Sequence, residues 1–391
     1  MTSGKVLKGV VLLSFMLVCW ARAEAQLGTA SVTGTVSDQN GAAVAQARVT
    51  LKNKATGQSR EARTGDDGIY TIQNLSPAVY EVRVEAQGFA AGLVDNVDVR
   101  VGEVPTVNVS LKPAGATETV QITASEAVRV DTTTSQVAGA ISDQTLASLP
   151  LNGRNFLDLA FLIPGNAPAP NYDPTKTTTI EVSSAGQLGR GGNIAVDGAD
   201  NNDDVVGGTL QNFPQDGIKE FQIITNRFSA EIGRSASSAI NIVTKTGGND
   251  IHGSGAFFFR NDTLSARLAT SPTKTPFDRE QYAASIGGPI KRDRAWWFAA
   301  FEFRNQDGVV LVGVRDLNAR QVVNSFAPAP LNDLLGTTRV DWQVSNKNRM
   351  GVRYSYQDED DIDRGSLRRP IGTADNRQHS FNTYHSIVYN W

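Results

Sequence analysis

Residues 282–306 read YAASIGGPIKRDRAWWFAAFEFRNQ. The basic turn Lys291–Arg294 divides two stretches of alternating character, and in the second Trp297, Ala299, Phe301 and Phe303 fall on one side with Glu302 and Arg304 between them. A period of two belongs to a strand, because successive side chains leave opposite faces of a sheet. Outward from this pair the same period recurs. Strands are expected near Asp250–Arg260, Glu280–Ile290, Ala295–Gln306, Thr337–Ser345, Met350–Gln357 and Ser380–Trp391. Their apolar marks are Val340, Trp342 and Val344, then Val352, Tyr354 and Tyr356, then Ile387, Tyr389 and Trp391, with Asp341, Arg353 and Asn390 among the polar residues between.

The connections alternate between long (roughly 19, 30 and 22 residues) and tight (roughly four), which is the loop pattern of a transmembrane β-barrel with short periplasmic turns and long outer loops. Strands of about ten residues suit a tilted crossing of the hydrocarbon layer. Trp296, Trp297, Trp342 and Trp391 stand at segment ends, where an interfacial aromatic girdle is expected. A soluble sandwich also uses paired aromatics, but the loop periodicity argues against it. The chain has 29 aromatic residues, and 18 of them follow residue 250, so the solvent is expected to change from water to lipid there. Six strands cannot close a membrane barrel, whose smallest type has about eight. An open sheet in lipid leaves edge groups unsatisfied, so the sequence is expected to be a fragment or the first part of a barrel of about 22 strands.

Composition narrows the rest. Among 391 residues, 37 Lys and Arg against 40 Asp and Glu give a net charge of −3, without the basic excess of a nucleic-acid binder. One Cys and three His exclude a disulfide framework and a metal site built mainly from Cys and His. At the N-terminus, Lys5 and Lys8 precede the apolar run Gly9–Trp20 and the small-residue segment up to Ala25. That is a secretory signal peptide, with cleavage expected between Ala25 and Gln26. Cleavage there removes Cys19, and a lipoprotein reading of Cys19 is weaker because bulky Val18 precedes it. No later stretch approaches 18 apolar residues, so a membrane-embedded part must use strands.

From Ser31 to Leu111, short alternating runs are divided by turn signals such as Asp38-Gln39-Asn40-Gly41 and Gly65-Asp66-Asp67-Gly68. The inward set is expected to be Val32, Gly34, Val36, Val49, Leu51, Tyr70, Ile72, Tyr80, Val82, Val84, Val107, Val109 and Leu111. About seven strands with turns every 8–12 residues point to an antiparallel sandwich. The Gly-Asp-Asp-Gly stretch is read as a turn needing positive φ and side-chain turn bonds, in preference to a calcium site. After the linker Lys112–Thr117, the segment Glu118-Thr119-Val120-Gln121-Ile122-Thr123-Ala124 alternates. On pattern alone it is a lone strand free to join a partner's sheet, an eighth sandwich strand, or the first strand of the next unit.

Between Ser125 and Gly247, Ser142 is expected to cap a helix carrying Leu146 and Leu149 and stopped at Pro150. Asn155 caps a second, with Phe156, Leu159, Ala160 and Ile163 on one face. Strands are expected at Asn193–Val196, Ile218–Thr225 and Ala239–Thr244. Gly189-Arg190-Gly191-Gly192 lacks the context of a nucleotide-binding loop and is read as a turn. Asp197, Asp200, Asp203 and Asp204 form the densest acidic cluster, a weak calcium candidate that lacks EF-hand spacing and is better read as a solvated turn. No His or Cys lies between Gln26 and Asp250, so no nucleophile–base constellation can be assembled there; no enzyme activity and no cofactor are expected.

Several stretches carry a family resemblance. GTVSDQNGAAVAQARVTL from Gly34, TGDDGIYTIQNL from Thr64 and YEVRVEAQGF from Tyr80 resemble the carboxypeptidase regulatory-like domain, a transthyretin-like sandwich. LPLNGRNFLDLAFLIPG from Leu149, DGADNND from Asp197, IKEFQIITNRFSAEIGRS from Ile218, INIVTKTGGNDIHGS from Ile240, FFFRND from Phe257 and the stretch from Tyr282 resemble the Oar-like TonB-dependent outer-membrane receptors. Gln121 departs from the more usual apolar residue, and Ser237-Ser238 replace expected glycines.

The resemblance implies a mainly β protein: signal peptide 1–25, sandwich 26–113, linker and TonB box 114–124, α+β plug domain 125–247, and the first strands of an outer-membrane β-barrel over 248–391. It favours Glu118–Ala124 as the TonB box, with TonB and outer-membrane lipid as partners and the sandwich and plug on the periplasmic side. The implied function is import of an extracellular ligand, carbohydrate or peptide, driven by TonB. The alternatives are a surface adhesion or structural protein whose sandwich binds glycan or protein, and a non-functional receptor fragment.

Overall fold

The computed structural model describes residues 30–114, 120–123, 136–149, 151–169, 180–205, 207–229, 232–267, 274–316, 321–345, 348–362 and 379–390. The signal peptide with its cleavage site at Ala25 and Gln26, together with Glu118, Thr119, Ala124 and Trp391, lies outside the described residues.

The first unit contains β1 (Ala30–Asp38), β2 (Arg48–Asn53), β3 (Ser59–Arg63), β4 (Ile69–Leu75), β5 (Ala78–Glu85), β6 (Gly92–Val99), β7 (Val109–Leu111) and β8 (Val120–Thr123). They form two sheets, β4-β1-β7 and β3-β2-β5-β6-β8. Alternation puts Tyr80, Val82 and Val84 of β5 inside, against Val32, Val36, Leu51, Tyr70, Val109 and Leu111. Each such apolar side chain contributes about 1.5–3 kcal/mol on full burial, and this supplies the sandwich with its core. Gly34 belongs to the inward set for a backbone reason, since a Cβ there would lie 1.9 Å from the carbonyl oxygen of Val107. In the Gly65–Gly68 turn only Gly68 takes a positive φ, +73°, while Asp67 Oδ1 accepts the Ile69 N–H at 3.0 Å. The side-chain turn bond expected of this stretch is present, and the positive φ is confined to its last residue.

The second unit contains β9 (Val137–Ser142), α1 (Asp143–Ser148), a 3₁₀ turn at Phe156–Leu162, β10 (Asn166–Ala169), β11 (Glu181–Ser184), β12 (Asn193–Val196), β13 (Ala199–Asp200), β14 (Ile218–Asn226) and β15 (Ala239–Thr244). Its main sheet runs β13-β12-β15-β14-β9. Every residue of β15 is buried, including the polar Asn241 and Thr244, as befits a strand between two neighbours. Asn155 caps the turn after it as expected, its Oδ1 accepting the Leu157 N–H at 3.0 Å, although the element is 3₁₀ and buries Leu157 as well as Phe156, Leu159 and Ala160.

The third unit contains β16 (His252–Asn261), β17 (Asp278–Lys291), β18 (Ala295–Asp307), β19 (Val309–Asp316), β20 (Gln321–Pro328), β21 (Leu331–Gln343), β22 (Arg349–Ile362) and β23 (His379–Asn390). Six of these make one antiparallel sheet in the order β16-β17-β18-β21-β22-β23, and β19 and β20 form a separate hairpin. On β22 the residues Arg353, Ser355, Gln357, Glu359 and Asp361 are buried on the face toward the second unit, while Tyr354 is exposed on the other. On β22 polar side chains therefore face in and an aromatic one faces out, the reverse of a soluble sandwich.

Two expectations change. Trp296 is fully buried and donates its indole N–H to Asn249 Oδ1 at 2.9 Å, so it is not a girdle residue. Adjacent strand residues must face opposite ways, and Trp297 and Trp342 take the outer face. The long connection after β18 is largely the β19–β20 hairpin, and β21 begins at Leu331 rather than Thr337. Its early part hides from an apolar-outside template because Asp333 lies buried on the inner face beside Leu331 and Leu335.

Candidate functional site

The two ends of the six-stranded sheet differ. One end carries the tight turns between β17 and β18 and between β21 and β22, and the sandwich meets it there. The Asn249 N–H donates to the Ala55 carbonyl at 2.9 Å, Gln58 Nε2 to Gln343 Oε1 at 2.6 Å, and Arg349 Nη1 to Ser76 Oγ at 2.7 Å. The other end carries the long connections.

Of the segment expected to bind TonB, the described part is β8. It lies parallel to β6, with Gly92 opposite Val120 and Asp95 opposite Thr123. Among the described residues it is the last strand of its sheet and pairs on one side only. Of the three possibilities that the pattern left open, this is the position of an additional sandwich strand, and it leaves one hydrogen-bonding edge unpaired within the sheet.

The second unit is held to the inner face of the six-stranded sheet by buried ionic groups. Asp197 pairs with Arg339 at 3.1 Å and with Arg353 at 2.9 Å, and also accepts from the Thr244 N–H and hydroxyl at 2.9 and 2.7 Å. Within the sheet, Arg339 and Arg349 both reach Asp341 at 2.9 Å, which orients Arg339 toward Asp197. Arg154 crosses to Glu302 at 3.0 Å and also reaches Asp216 of its own unit at 3.0 Å, while Arg304 pairs with Asp333 within the sheet at 2.7 Å. Burying such groups is tolerable only in pairs, and removing one partner strands the other.

The acidic cluster does not converge. Asp197, with Gly198, takes a positive φ in the two-residue turn between β12 and β13, and its carboxylate turns inward to the two arginines. Asp200 and Asp204 both pair with Arg234 at the surface, and Asp203 Oδ1 accepts the Val205 N–H at 2.9 Å. Among the described residues, no group of three or more His, Cys, Asp and Glu side chains is placed to hold a metal ion. Sequence reasoning missed Arg154, Arg339, Arg349 and Asp216 as interface groups. The available signal was the alternation itself, which places Glu302, Asp341 and Arg353 inward on strands whose outer faces are aromatic.

The sandwich also grips the second unit. Glu220 of β14 is buried and accepts the Val101 N–H, while Gln222 Nε2 donates to the Val101 carbonyl at 3.0 Å. Burial raises the Glu220 carboxyl to about 7, against the opposite pull of that N–H.

Comparison with known proteins places these parts. The family described as carboxypeptidase regulatory-like domain matches residues 31–112, and that described as outer membrane beta barrel domain matches residues 243–313. The TonB-dependent transporter Oar of Myxococcus xanthus is 30% identical over 292 residues, which cover 70% of this chain and 26% of that protein. The chain therefore spans 26% of the length of this curated relative. A variant of the ferric enterobactin receptor of Pseudomonas aeruginosa, solved with enterobactin, aligns with a TM-score of 0.48 at 12% identity, covering 64% of this chain and 38% of that one. A siderophore receptor of Acinetobacter baumannii aligns with a TM-score of 0.46 at 15% identity, covering 64% and 37%.

Proposed function

We propose that this outer-membrane chain, an Oar-like relative of the TonB-dependent receptors, contributes to importing an extracellular solute when TonB pulls on Glu118–Ala124. The observation that carries this reading is the position of β8, whose backbone is already extended and which, among the described residues, has one edge unpaired in its sheet. An edge strand is a template for β-augmentation, in which main-chain hydrogen bonds supply the affinity.

In this reading the second unit is the plug. The chain runs from the box into β9, which among the described residues is an edge strand of the plug sheet with β14 as its one strand partner. Force applied from the N-terminal side reaches Val137 first and peels β9 from β14 pair by pair. Polar and ionic contacts on the inner face of the barrel strands suit a part that must shift, because its exposed groups can be re-solvated by water where an apolar core could not. Energy comes from the partner, so the reading needs no nucleotide site and no catalytic residues in this chain. The sandwich, docked at the tight-turn end, lies on the periplasmic side and shelters β8 until TonB takes it.

The test is Val120→Pro in the full-length gene, which removes an N–H and locks φ. TonB co-purification and solute uptake are both expected to fall. If both survive, β8 is only a sandwich strand and the box lies elsewhere.

A further inference from the structure

Arg260 of β16 and Arg279 of β17 stand directly opposite each other in register, near the end of the sheet that carries the long connections. Opposed residues of antiparallel neighbours leave the same face. Here it is the inner face, which also carries Gln281 and Glu302. Both guanidiniums converge on one acceptor, Asn152 Oδ1, Arg260 through Nη1 at 2.8 Å and Arg279 through Nη2 at 2.7 Å. The Phe277 ring lies against both, 5.1 and 5.7 Å from the two guanidinium carbons. Beside them Arg304 approaches the Gly153 carbonyl at 3.5 Å.

The charge is unbalanced. Arg154, Arg304, Arg339, Arg349 and Arg353 each have a carboxylate at ion-pair distance, but among the described residues neither Arg260 nor Arg279 does. Asp278 and Glu280 flank Arg279 in sequence and so alternate onto the opposite face, where Glu280 bonds the Tyr282 hydroxyl at 3.1 Å. Two like charges that share one acceptor repel each other, and a neutral amide oxygen offsets little of that. A planar oxyanion offers what the pair lacks: two oxygens and a negative charge for two parallel forks.

We propose that Arg260, Arg279 and Asn152 form an anion-recognising subsite for a solute that carries a carboxylate or phosphate group, with Phe277 packing against the solute's body. The inference rests on the receptor reading above, which makes this end the extracellular mouth. Asn152 belongs to the loop that leads into the 3₁₀ turn of the plug, so an anion that displaces its amide changes a plug contact directly.

The experiment titrates citrate, inorganic phosphate and uncharged raffinose into the purified full chain in detergent, without TonB, and reads binding by calorimetry. Saturable binding of citrate or phosphate, but not raffinose, is expected, and the preferred anion identifies the group. Arg260→Gln with Arg279→Gln should weaken it at least tenfold. Asn152→Asp keeps both arginines and places a resident carboxylate between them; it should abolish anion binding while raising the melting temperature, which controls for misfolding. No saturation with either anion, equal binding of raffinose, or anion affinity unmoved by both variants would overturn the subsite. Because TonB is absent, failure here leaves the box assignment standing, and failure of the Val120→Pro test leaves this result untouched.

Discussion

Both carboxylate oxygens of Glu220 lie 3.1 Å from the backbone nitrogen of Val101, and this bond joins the plug sheet to the sandwich. Burial is the largest influence on Glu220 and raises it to about 7; Glu103 and Asp98 push the same way, while the Val101 N–H and Arg100 oppose. A raised value in the docked state means that docking binds a proton. The contribution is therefore full below the ordinary carboxylate range and is lost as pH rises through about 7, an effect on the order of 3 kcal/mol. The sandwich should melt or detach more readily at about pH 8 than at about pH 5, as read by differential scanning calorimetry and limited proteolysis. Glu220→Gln should flatten that profile, and a profile it leaves unaltered would show that another group governs it.

Asp197 is the single carboxylate between Arg339 and Arg353, with Thr244 completing its shell. Neutralising it takes from Arg353 its carboxylate partner among the described residues and leaves Arg339 with Asp341 alone. Asp197→Asn is the informative substitution, because Asn tolerates the positive φ of +51° at this position and so isolates charge from backbone strain. The expected loss is about 3–5 kcal/mol, by analogy with breaking other buried pairs. Urea unfolding in detergent measures it. A loss below about 1 kcal/mol, the size of an exposed pair, would mean that water screens the site.

How much of this was legible depends on what each residue had to satisfy. Val49, Leu51, Val82 and Val84 alternate because one face of the sandwich is water, so period and burial agree. The runs Asn193–Val196 and Ala239–Thr244 were legible as short apolar stretches between turn signals. Asp333 and Asp341 were harder, because in a sheet whose inner face is polar a buried carboxylate carries the same sequence signal as an exposed one. Arg154 gave no local signal, since its partners Asp216 and Glu302 come from distant parts of the chain. Convergence of Arg260 and Arg279 on Asn152 needs the strand register, which alternation alone does not set to within two residues. The edge position of β8 likewise depends on its pairing with β6, which a four-residue alternation cannot name.

Trp296 and Trp342 should report opposite environments. Trp296 is fully buried with its indole bonded to Asn249, whereas Trp342 is 43% exposed on the outer face. In single-tryptophan variants reconstituted into bilayers, lipids brominated on their acyl chains should quench Trp342 strongly and Trp296 little. Trp296→Phe should cost about 1 kcal/mol or more of stability through the lost bond and packing, and Trp342→Phe much less. Equal quenching of the two would place Trp296 in contact with lipid and invert the facing of β18.

The peeling of β9 can be separated from movement of the plug as a whole by two disulfides that share one cysteine. Ile224 of β14 lies opposite Ala138 of β9 on one side and opposite Ala239 of β15 on the other. Directly opposed strand residues bring their Cβ atoms within about 5.5 Å, close enough for a cross-link after small adjustment. Cys19, the one cysteine of these 391 residues, lies in the segment read as the leader and does not compete. Ala138→Cys with Ile224→Cys welds the strand that TonB is expected to pull. Ile224→Cys with Ala239→Cys welds a ladder inside the sheet that peeling never opens. In the full-length gene, the first pair should abolish uptake under oxidising conditions and recover it with reductant, while anion binding at the outer mouth persists throughout. The second pair should leave uptake within about twofold of wild type. If both welds block uptake equally, the central sheet must open beyond β9. If neither does, the plug moves without unzipping, and the force route from Glu118–Ala124 through Val137 is wrong.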